Sequence, residues 1–95
     1  MGRPPKPVAV GCFPPCRRLD PSPCRGAEPL TLEVAEVEAL RLVELEKLSL
    51  EEAGERMGVS RNTVWRLVEG AREKLARALV EGRGIRISEE QPSGP

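Results

Sequence analysis

The stretch from Ser49 to Val68, SLEEAGERMGVSRNTVWRLV, restricts this chain more than any other. Ser49 followed three residues later by Glu52 is a capping box that starts a helix. Leu50, Ala53 and Met57 recur at helical spacing and supply its buried side. Gly54 is small enough to let a second helix cross closely. Gly58 sits where the turn needs a left-handed backbone, which glycine adopts at little cost. Val59 is a candidate buried plug. Ser60 can cap the next helix by accepting from a free backbone N–H. Val64 and Leu67 then return to the core. Two short helices joined by a tight turn, with a polar and basic start to the second, predict a helix-turn-helix whose second helix enters the DNA major groove.

The rest of the apolar pattern is confined to roughly residues 30–81. A first helix is expected from Thr31, as N-cap, to about Lys47, with Glu33 and Glu36 early enough to suit its macrodipole. The helix that begins at Ser60 should run to about Glu81 and end at Gly82. Val64, Leu67, Ala71, Leu75 and Ala78 line one face of it, and Glu73 and Arg77 can pair across one turn. After it, Ile85-Arg86-Ile87 alternates like one short strand. Pro29 to Leu32 is the only other strand-like piece, and pairing of the two within or between subunits would satisfy both. The expected fold class is all-α, a three-helix bundle with a short C-terminal strand. Its divisions are an extended arm and loop over 1–29, a helix-turn-helix domain over 30–87 and a loose tail over 88–95. In a chain with one Phe, one Trp and no Tyr, about fifty residues make a thin core. A homodimer is expected, since palindromic half-sites suit two-fold symmetry.

The net charge of zero conceals a segregated pattern. Residues 1–26 carry +4, residues 27–58 carry nine glutamates and a net −6, and residues 59–88 carry +4. The positive blocks coincide with the N-terminal segment and the candidate reading helix. No stretch is apolar over 18 residues, so no transmembrane helix is expected. The basic start lacks the hydrophobic run of a secretory signal, which leaves a cytoplasmic location as the expectation.

In this reading Arg61 and Asn62 face the bases, Arg forking onto guanine and Asn bridging adenine. Ser60 and Thr63 would bind phosphate and set docking depth, and Arg66 reaches a base edge or the near backbone. Trp65 could press on a sugar or a thymine methyl, or pack against the arm or a second subunit, and packing is the favoured reading. The segment GRPPKP, with Arg3 and Lys6, has the proline content of an extended basic arm suited to the minor groove. Cys12, Cys16 and Cys24 form a second constellation. Their odd number argues against a closed disulfide framework. They could wrap one zinc ion or join an iron–sulfur site, with a carboxylate such as Asp20, water or another subunit's thiol as fourth ligand. Absence of histidine, of a glycine-rich phosphate loop and of a nucleophile–base pair points away from an enzyme. The competing readings are a protein-interaction module and a metal- or redox-responsive adaptor built on the cysteines.

Three segments together, GRPPKP, then LTLEVAEVEALRLVELEKLSLEEAGERMGVSRNTV, then AREKLARALVEGRGIRI, resemble the DUF134 (UPF0251) family of small prokaryotic proteins. The family is similar to the sigma-factor region 4 type of helix-turn-helix. The resemblance implies binding to double-stranded DNA and a role in transcription regulation, with Ser60, Arg61, Asn62, Thr63 and Arg66 on the reading helix. The Cys- and Pro-rich segment 12–29 and the bulky Trp65 depart from the family pattern.

Overall fold

The computed structural model describes residues 14–23 and 26–88. In chain order the elements are β1 (Arg18–Leu19), β2 (Leu30–Glu33), α1 (Val34–Leu40), α2 (Leu50–Met57), α3 (Arg61–Glu81) and β3 (Ile85–Ser88). Helix α1 runs on without a break into a wider π-helical turn, Arg41–Leu45. That turn closes where the Glu46 N–H donates to the Arg41 carbonyl at 3.1 Å.

The molecule is therefore not an all-α bundle. Its three helices carry a three-stranded mixed sheet of order β1-β3-β2. Strand β3 lies in the middle, antiparallel to β1 through Arg18↔Arg86 and Leu19↔Ile85. It runs parallel to β2 in the register Leu30↔Ile85 to Glu33↔Ser88. A parallel pair cannot be closed by a tight turn and needs a long crossover. Here the whole helical array is that crossover. Three segments too short to be stable alone become a sheet because the folded helices bring them side by side.

This pairing moves the first helix boundary. Thr31 lies inside β2 rather than capping α1, because the chain from Leu30 to Glu33 is committed to the ladder. Glu33 becomes the N-cap, and its backbone N–H donates to the Glu36 carboxylate at 2.9 Å. Arg18 and Leu19, in the segment expected to be irregular, form β1, and Ser88 closes β3 rather than opening a tail.

Two apolar clusters share Leu40. One centres on Ala39, Leu42, Ala53, Met57, Val64 and Val68, at the crossing of α1, α2 and α3. The other joins the sheet to α3 through Leu32, Ala71 and Ile85, with Leu75 and Ala78 packed on it. Alanines fill the closest crossings, so the helices approach each other without large side chains between them. Met57, fully buried and unbranched, fills the space left over.

Two buried carboxylates tie α1 to its surroundings. Glu36, 5% exposed, accepts from Lys74 of α3 at 2.7 Å. Glu38 takes two bonds from Arg41, each 2.9 Å. A Cβ placed on Gly70 would stand 2.5 Å from a Glu36 carboxylate oxygen, so the missing side chain at position 70 makes room for the Glu36–Lys74 pair.

Candidate functional site

The start of α3 is built by its own sequence. Gly58 ends α2 at φ 70, ψ 31, the left-handed region where a Cβ would be strained. The Gly54 carbonyl then accepts from the N–H groups of both Gly58 and Val59, the latter at 2.9 Å. A Cβ on Gly54 would lie 2.7 Å from the Val59 carbonyl oxygen, so the turn folds directly over this glycine. Ser60, extended at φ −74, ψ 160, caps α3 by accepting from the Thr63 N–H at 3.1 Å.

The Ser60 and Thr63 hydroxyls also bond each other at 2.9 Å. One hydroxyl proton is used in that bond, and the other remains to be donated outward. The pair can therefore cap the helix and still offer one donor to an oxyanion. Asn62 is exposed and its amide makes no side-chain hydrogen bond among the described residues. Arg61 and Arg66 are exposed as well. Beneath them Val64 and Val68 are fully buried, which fixes the rotation of α3 and turns 61, 62, 65 and 66 outward. Trp65 is 48% exposed, and the arm expected to pack on it lies outside the described residues.

Charge pairing divides the molecule. Arg18, Arg41, Arg72, Lys74, Arg77, Arg83 and Arg86 all stand in ion pairs with carboxylates of this chain. Arg17 also has a partner. Lys47, Arg56, Arg61 and Arg66 have no ion pair among the described residues, and all four fall between the end of the π-turn and the second turn of α3. The first turn of α3 contains no acidic residue. The first acid on the helix is Glu69, which is bound to Arg72 at 3.2 Å. Arg72 reaches in addition across to Glu44 of the π-turn. That guanidinium hydrogen bond holds the Glu44 carboxyl below its ordinary range, and the same bond raises Arg72. The exposed side of α2 is acidic, with Glu51, Glu52 and Glu55. Bonds from the Ser49 backbone and hydroxyl lower Glu52.

The expected site residues separate as follows. Ser60, Arg61, Asn62, Thr63 and Arg66 come together on the first two turns of α3. Arg3, Lys6, Cys12 and Cys24 lie outside the described residues. Cys16 is exposed, and its thiol donates to the Arg18 carbonyl at 3.3 Å. Among the described residues no group of three or more metal-binding side chains converges, and no helix is long and apolar enough to cross a membrane. Lys47 and Arg56 join Arg61 and Arg66 without having stood out in the sequence. Glu44 and Glu52 lie near enough to feel the charges of Lys47 and Arg56, but neither closes an ion pair with them.

A family model described as "Protein of unknown function DUF134" matches residues 1–91. The chain belongs to the DUF134 family. Among curated relatives, a UPF0251 protein of Desulforudis audaxviator is 51% identical over 89 residues, covering 92% of this chain and 58% of the relative. One from Halothermothrix orenii is 47% identical over 89 residues, with 92% and 66% covered. One from Thermococcus kodakarensis is 65% identical over 37 residues, 39% of this chain and 33% of that protein. The matched part of this DUF134 chain thus spans about a third to two thirds of the length of these relatives. No solved structure matches it.

Proposed function

We propose that this DUF134 protein binds double-stranded DNA in a sequence-dependent way and acts as a transcriptional regulator. The observation that carries the proposal is the placement of unpaired cations. Among the described residues, Arg18, Arg41, Arg72, Lys74, Arg77, Arg83 and Arg86 are ion-paired within the chain, whereas Lys47, Arg56, Arg61 and Arg66 are not. An unpaired guanidinium on a rigid helix tip keeps its full attraction for phosphate and for the guanine edge.

The roles follow from position. Arg61 and Asn62, at the first turn, address base edges by paired hydrogen bonds. The spare hydroxyl proton of the Ser60–Thr63 pair and the N-terminal N–H groups of α3 meet a phosphate. Arg66, a turn later, and Arg56 and Lys47 outside α3 add phosphate contacts that carry no base preference. The acids Glu69 and Glu73 mark where the duplex must leave the helix. In this reading α2, the turn at Gly58 and α3 serve as a helix-turn-helix. Leu79 and Val80, 86% and 85% exposed, lie at the opposite end of α3 from this tip. They suit self-association into a homodimer that leaves both tips free.

Binding of the full chain to random duplex DNA over a range of salt is the test. Affinity should fall as a straight line in log–log form, each lost phosphate contact flattening the slope by about one unit. Selection from a random library should then return a preferred sequence. Salt-insensitive binding, or none, would remove the proposal.

A further inference from the structure

The only tryptophan of the chain lies within the proposed DNA-binding tip. At 100° per residue, Trp65 falls on the stripe of α3 that holds Arg61 and Asn62 one turn earlier. Val64 and Val68, both at 0% exposure, lie roughly 100° and 60° around the helix from it, so the indole stands at the edge of the buried face with 48% of its surface open. Arg61 and Arg66, on either side in sequence, are unpaired among the described residues. A large apolar ring left half open to water keeps surface for a partner, and tryptophan so placed is enriched at interfaces.

We propose that Trp65 reads thymine in the major groove, laying its ring on the C5-methyl group and directing its Nε1–H to the adjacent O4. The inference rests on the DNA-binding reading above and adds a base preference to it. Thymine is the one base whose major-groove edge combines an apolar group with an acceptor. Indole matches both, since it has a flat apolar surface and a single donor. Cytosine presents an N4 amino donor at the same place, and indole has no acceptor for it. The base read by Trp65 therefore adjoins those read by Arg61 and Asn62.

The experiment uses the full chain and the duplex it selects from a random library. Each thymine is replaced singly by uracil, which removes the methyl group and leaves every hydrogen-bonding atom. The parent should lose about fourfold in affinity at one position, the worth of one buried methyl. Trp65→Ala should show no loss at that position while keeping the salt slope of the parent, and Trp65→Phe should retain part of the loss. Both variants should remain folded by circular dichroism, with Trp65→Phe melting nearer the parent than Trp65→Ala because the side chain is half buried. A flat uracil scan in the parent, or the same penalty persisting in Trp65→Ala, overturns the Trp65 assignment and leaves DNA binding standing. Failure of the parent to bind any duplex overturns both.

Discussion

The two ends of α3 are held by different means. Its first half is fixed by neighbours in sequence: the Gly58 turn, the Ser60 cap, and the backbone of Val59 lying over Gly54. Its second half is fixed by residues far along the chain. Lys74 reaches Glu36, Arg72 reaches Glu44, and Ile85 of β3 meets Ala71 and Leu32. The first half keeps its cations unpaired, whereas the second half neutralises them. A tip that must present charge to a partner cannot use that charge to hold itself together. Local capping and a close backbone crossing do that work instead, and they leave Arg61 and Arg66 available.

The contrast can be broken by mutation. The largest effect should come from Gly54→Ala, because the new Cβ meets a backbone carbonyl at 2.7 Å that cannot swing away. A stability loss of about 3 kcal/mol in urea unfolding is expected, at the upper end for overpacking. An unchanged midpoint would mean that the turn does not fold over this glycine. Arg61→Ala should cost about 1–3 kcal/mol of DNA affinity with no change in melting temperature. Arg77→Ala, whose parent residue is tied to Glu73 and Glu81, should leave DNA affinity nearly unchanged. Equal losses for the two variants would erase the distinction between the halves.

Gly70→Ala sharpens the comparison with Gly54. Its Cβ also meets an atom at 2.5 Å, but that atom is a Glu36 carboxylate oxygen on a side chain that can shift. Helix propensity gains nearly 1 kcal/mol and opposes the disturbance of the Glu36–Lys74 pair. The net loss should be about 1 kcal/mol, well below that of Gly54→Ala. Ser60→Ala removes the α3 cap and should likewise cost about 1 kcal/mol, with weaker DNA binding because the Ser60–Thr63 donor goes too.

The smallest effect is on pH dependence. Glu44, Glu52 and Glu81 all titrate below their ordinary value of 4.5 in the folded chain, held down first by Arg72, the Ser49 backbone and Arg83 respectively. A carboxyl lowered on folding contributes stability above its unfolded pKa and loses it as pH falls through the folded one. Melting temperature should therefore be flat above about pH 5 and decline below 4.5. Glu44→Gln should make the decline shallower. These groups are exposed and screened, so the shift should be slight.

The helical part of the fold was legible because its signals are short-range. Ser49 with Glu52, Gly58, and Ser60 lie within a few residues of the groups they satisfy, and the structure places each cap where the sequence puts it. Leu50, Ala53 and Met57 mark the inner side of α2 by spacing alone, and Ala53 and Met57 are fully buried. The sheet was not legible to the same degree. Arg18-Leu19 offers two residues with no alternation to read, and Thr31 resembles a helix cap until β3 is known to lie beside it. The same limit applies to the candidate site. Ser60, Arg61, Asn62, Thr63 and Arg66 follow from where a reading helix begins. Trp65 lies at the edge of the buried face of α3, where spacing alone does not decide how much of a large ring is covered.

What the sequence determined by itself was the existence, the ends and the buried sides of α2 and α3, since capping and helical periodicity act over at most a few residues. Only the tertiary structure decided that β1, β2 and β3 form one mixed sheet, that Glu36 and Glu44 claim Lys74 and Arg72, and which cations remain unpaired. Strand hydrogen bonds and ion pairs join residues distant along the chain. Their partners are chosen by which surfaces meet once the apolar core has closed, and no local pattern encodes that choice.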